Sequence, residues 1–157
     1  MSDTEEQKNI VAAIMQNNFT LARKLIDGLL QANVDDIFAL SNLGYIEYMS
    51  ANFQICKSIN QKILELDKNN VYALKGLGLS LIKCDQFTEG ETLLQKAIDL
   101  DPDWFDPYYD LALSYYEFGM MEEAIETIKK ATPKNDEEKK LMVDFIREVE
   151  NISRLLE

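Results

Sequence analysis

The sequence contains no histidine, few cations and only two cysteines. Each shortage removes a class of function. Without histidine the chain lacks the usual general base near neutral pH and the commonest metal ligand. Cys56 and Cys84 have neither disulfide-framework nor zinc-site spacing, so a reducing compartment fits. The net charge of −12 repels phosphate backbones and anionic lipid, so neither nucleic acid nor a membrane surface is expected as a partner. No apolar run approaches a membrane span, and MSDTEEQKN has neither the basic start nor the apolar core of a signal peptide. The expected location is cytoplasmic.

What the chain does have is a repeat. With Ile37, Val71 and Phe105 as equivalent starts, 34 residues apart, Gly44, Gly78 and Ala112 coincide. So do Leu43, Leu77 and Leu111, then Phe53, Phe87 and Met121, then the small residues Cys56, Gly90 and Ala124. A period of this length specifies stacked helical hairpins. Leu74, Leu77, Gly78 and Leu81 form one stripe of a first helix, and Phe87, Gly90, Leu94 and Ala97 one stripe of a second. Gly78 and Gly90 are expected to let the paired helices approach closely. A weaker unit can be traced upstream, where Phe19 and Ala22 match Phe53 and Cys56.

The expected organisation is an array over residues 1–138, in units 3–36, 37–70, 71–104 and 105–138. A helix over 134–156 follows, started by Asn135 or Asp136. Its face of Met142, Phe145, Val149, Ile152 and Leu156 caps the stack or, less simply, forms a dimer seam.

These residues resemble the tetratricopeptide repeat family. Leu74, Leu77, Gly78, Leu81, Gly90, Leu94, Ala97 and Pro102 supply its eight signature positions, and the unit from Phe105 supplies seven. The unit from Ile37 is looser, with Glu47 and Asn60 where large residues are usual. The resemblance implies an all-α, right-handed superhelical solenoid of about four hairpins. It also implies polypeptide binding with no chemistry of its own.

In such a stack the first helices line a concave face. Helical geometry then assigns to the groove Phe38, Tyr45, Tyr48, Tyr72, Lys75, Leu79, Ile82, Asp106, Tyr109, Leu113 and Tyr116. That set is rich in aromatics, which suits a protein interface. The carboxylate clamp of heat-shock co-chaperones, which the resemblance also brings into question, is not rebuilt. Gln7 and Val11, or Ser41 and Tyr45, stand where its Lys and Asn belong, and Asp106 and Asp110 where its last cations belong.

The expected function is a non-enzymatic adaptor without cofactor, metal or catalytic residues, monomeric or weakly dimeric, that binds a protein or peptide segment. A secretion-type chaperone for a hydrophobic substrate and a self-assembling scaffold are the alternatives.

Overall fold

The computed structural model describes residues 4–156, with the side chain of Leu156 left out. Asp3, where the first unit was expected to begin, lies outside the described residues. These residues are all helix, turn and coil, with no strand among them. The helices are α1 (Glu5–Met15), α2 (Phe19–Ala32), α3 (Ile37–Met49), α4 (Phe53–Leu66), α5 (Val71–Lys83), α6 (Phe87–Leu100), α7 (Phe105–Glu117), α8 (Met121–Lys130) and α9 (Asp136–Leu156).

The starts of α1, α3, α5 and α9 follow local capping chemistry. Thr4 and Gln7 close a capping box on α1. The Asp36 side chain accepts from Ala39 N at 2.9 Å, and Asn70 accepts from Ala73 N at 3.0 Å, one period later. Asn135 accepts from Glu138 N at 2.8 Å and takes the capping role at α9.

The turn inside each hairpin also repeats. Asn17, Ala51, Asp85 and Gly119 all have positive φ, between 55° and 78°. In each turn the next residue donates its N–H to the carbonyl five residues back, as from Asn52 N to Glu47 O at 2.8 Å and from Gln86 N to Leu81 O at 2.9 Å. This left-handed cap satisfies carbonyls that the helix end leaves free. Glycine, the residue best suited to it, stands only at the fourth turn.

The pairs α1–α2, α3–α4, α5–α6 and α7–α8 pack as hairpins, and α9 packs on α8 and α7. The α5–α6 pair is the tightest. A Cβ on Gly78 would lie 2.9 Å from the Gly90 carbonyl oxygen, and a Cβ on Gly90 would lie 2.5 Å from that of Gly78. One core cluster joins α1, α2 and α3. A larger one joins α5 to α9, where Phe145 and Val149 of α9 are buried. Met142 and Ile152 of the same face are half-buried.

The looser second unit keeps two polar groups inside. Glu47 is buried, paired with the Arg23 guanidinium from α2 and accepting from Asn52 Nδ2 at 2.7 Å. Asn60 is buried in α4, and its Nδ2 donates to Cys56 O at 2.9 Å. Partnering removes most of the cost of burying them. Cys56 is fully buried, and burial pushes its thiol up.

Candidate functional site: the concave groove

The first helices α3, α5 and α7 run side by side and enclose a groove of about 700 Å³. Its lining includes Phe38, Tyr45, Tyr48 and Met49 from α3, Tyr72, Lys75 and Leu79 from α5, and Asp106 and Asp110 from α7. Asn60 and Gly76 form part of its floor, and Trp104 closes one side. Helical period explains the set, because residues three and four apart share one face.

Several of these side chains stay in water. Tyr45 is 49% exposed, Met49 52% and Tyr72 65%. The Tyr72 ring leans on Trp104 with centroids 4.7 Å apart. Tyr48 lies deeper, 5.5 Å from the Phe53 ring and edge-on to it. Burial, reinforced by the negative charges of Asp110 and Glu117, pushes the Tyr48 phenol up to about 12.

Charge is concentrated at the α5–α7 end. Lys75 Nζ stands 3.0 Å from Asp110 Oδ2 and 3.5 Å from Asp106 Oδ2, and 5.2 Å from the Trp104 ring centroid. Asp110 Oδ2 is buried, and the Lys75 ammonium is its charge partner. Burial raises the Asp110 carboxyl, and Lys75 only partly opposes it. Lys83 pairs with Glu117 at 2.7 Å.

Seven of the eleven residues assigned to the groove from sequence line it: Phe38, Tyr45, Tyr48, Tyr72, Lys75, Leu79 and Asp106. The other four do not. Ile82 is 3% exposed and lies inside the α5–α6 hairpin, where a Cβ on Gly90 would be 2.6 Å from its Cγ1. The equivalent residues Cys56 and Ala124 carry that Cβ, so Tyr48 and Tyr116 stay outside their hairpins while Ile82 enters.

Tyr109, Leu113 and Tyr116 are instead packed against the C-terminal core cluster. The Tyr109 and Tyr116 rings meet Phe145 of α9 at 5.6 and 6.0 Å, and the Tyr116 hydroxyl donates to Glu148 at 3.3 Å. Here α9 takes the place the next hairpin's first helix would have. Asn60, Gly76, Trp104 and Asp110 also line the groove without having been assigned to it, and Trp104 is the largest of them. It lies on the turn between units, where no helical stripe points to it, and its ring size was the only available signal.

Among the described residues no three metal-ligating side chains come together, and no helix is long and apolar enough to cross a membrane.

Residues 105–132 match the family model of the tetratricopeptide repeat. No curated protein sequence matches the chain. Solved structures do match in fold. A MamA protein is 24% identical, with a TM-score of 0.64 over 80% of this chain and 68% of its own. A MamA fragment from Desulfovibrio magneticus RS-1 is 18% identical, with a TM-score of 0.68 over 80% of this chain and 71% of its own. A mutant O-GlcNAc transferase from Thermobaculum terrenum is 18% identical, with a TM-score of 0.70 over 82% of this chain. The match spans only 27% of the transferase, and at these identities the likeness is one of fold alone. Residues 105–132, within α7 and α8, thus match a tetratricopeptide repeat, and helical hairpins with the same 34-residue spacing precede that unit.

Proposed function

We propose that the chain is a non-enzymatic adaptor whose groove binds an extended or helical segment of a partner protein. The observation that carries this reading is the exposure of Tyr45, Met49 and Tyr72 around one continuous cavity. A contiguous apolar patch of this kind on a soluble protein marks an interaction site. The relatives in the family bind polypeptides, and this groove has the size and lining for one.

Covering those three side chains would remove on the order of 250 Å² of apolar surface from water, about 6 kcal/mol. The partner's own buried apolar surface adds a comparable gain and ordering a flexible segment offsets part of the total, which places a single-segment Kd in roughly the micromolar range.

The test compares proteins retained from a native lysate by the wild type and by a Tyr45→Ala, Tyr72→Ala variant. Both side chains are largely exposed and Tyr72 gives up only its contact with Trp104, so the variant should melt within roughly a few degrees of the wild type. A protein held by the wild type and lost from the variant is the expected result. Identical retained sets would contradict the groove reading.

A further inference from the structure

The groove is short of positive charge at one place. Of its charged lining residues, Asp106 and Asp110 are acidic and Lys75 alone is basic. Lys75 is divided among two carboxylates and the Trp104 ring. The other nearby cations are committed elsewhere, Lys83 to Glu117 and Arg23 to Glu47. Two carboxylates therefore share one lysine, Asp110 at 3.0 Å and Asp106 at 3.5 Å, and the Asp106 side chain is 55% exposed. Beside this surplus carboxylate stand the rings of Tyr48, Tyr72 and Trp104. Carboxylates and aromatic faces both attract a cation.

Resting on the groove reading above, we propose that the segment it takes presents a basic side chain between apolar neighbours. The cation is seated at Asp106 and Asp110, with the neighbours on Tyr45, Met49 and Leu79. Arginine fits better than lysine. Its planar fork donates to two acceptors at once and stacks on an aromatic face. The net charge of −12 steers the same kind of partner and repels an acidic one. Burial raises the Asp110 carboxyl and Lys75 only partly opposes it, so a second cation seated there would add to the opposition.

The test is selection of random twelve-residue peptides displayed in vitro against the full chain. Selected peptides are then measured on the wild type, on Asp106→Asn, Asp110→Asn, and on Tyr45→Ala, Tyr72→Ala, after thermal melts show that all three are folded. The expected peptides carry arginine or lysine flanked by apolar residues. They should bind the double-asparagine variant roughly tenfold more weakly. Replacing the peptide's basic residue with alanine should make the wild type and that variant equal. Peptides that need Tyr45 and Tyr72 but carry no basic residue, or that bind the asparagine variant as well as the wild type, would overturn the inference and leave the groove reading standing. No selected peptide, or peptides indifferent to the tyrosines, would overturn both.

Discussion

The Asn60 carboxamide occupies the space that a side chain at Gly76 would need: a Cβ there would lie 2.7 Å from Nδ2 and 2.8 Å from Oδ1. Asn60 is the polar residue of α4 that departs from the repeat's usual large side chain, and Gly76 is the matching absence on α5. The pair forms part of the groove floor. In isolation Gly76→Ala should help α5 by about 1 kcal/mol, because alanine is the better helix former. Overpacking against the buried amide costs more, roughly 1–3 kcal/mol. The expected result is a net loss of about 1 kcal/mol for Gly76→Ala in the wild-type background, and a net gain in an Asn60→Ser background. Urea denaturation of the four proteins of this cycle checks the change of sign.

A stronger contrast separates Gly90 from Gly28. A Cβ on Gly90 meets the Gly78 carbonyl, which cannot move without shifting α5, whereas a Cβ on Gly28 has nothing within 4 Å. Gly90→Ala should therefore destabilise by about 3 kcal/mol. Gly28→Ala should stabilise by up to about 1 kcal/mol. Thermal melts of the two variants read both effects.

The hairpin turns hold another reserve of stability. Ala51 adopts φ of 59°, a conformation in which its Cβ is crowded, while Gly119 fills the same position in the fourth hairpin with φ of 78°. Ala51→Gly should raise stability by about 1 kcal/mol, since the strain removed exceeds the entropy glycine adds to the unfolded chain. Gly119→Ala should lower it by a similar amount. Equal and small effects at both sites would show that the turns tolerate either residue.

Tyr48 gives the groove a signature in alkali. Its phenol is raised from 10.0 to about 12, first by burial and then by the charges of Asp110 and Glu117. A folded-state pKa above the unfolded value means that the contribution is fully present below pH 10 and is lost as pH rises through about 12. Ultraviolet titration of Tyr48→Phe should show one fewer of the phenols that ionise well above 10 than the wild type does. The same variant should lose less stability between pH 10 and 12 than the wild type.

Most of the architecture was legible in the sequence because the repeat is in phase with the helices. Ile37, Val71 and Phe105 begin α3, α5 and α7, and Phe53, Phe87 and Met121 begin α4, α6 and α8. The groove was legible only where each unit behaves as an interior unit. Ile82 lies inside the hairpin because its direction depends on a residue in the opposite helix, Gly90, whose missing Cβ admits it. Tyr109, Leu113 and Tyr116 pack against the C-terminal cluster because α9 lies on the last unit, and the apolar stripe that predicts α9 does not say which concave residues it covers. Trp104 and the Asp110–Lys75 contact depend on how neighbouring units stack, which the period of a single unit does not encode.

The central claim is that partner protein occupies the groove, and site-specific photocrosslinking tests it most directly. A photoreactive amino acid is placed at Tyr72, exposed in the groove, or at Ile55, which is 53% exposed on α4 outside it. Irradiation in native lysate should join a partner to the Tyr72 position and leave the Ile55 position bare. Crosslinks to the same partner from Ile55, with none from Tyr72, would contradict the account and move the binding surface off the concave face.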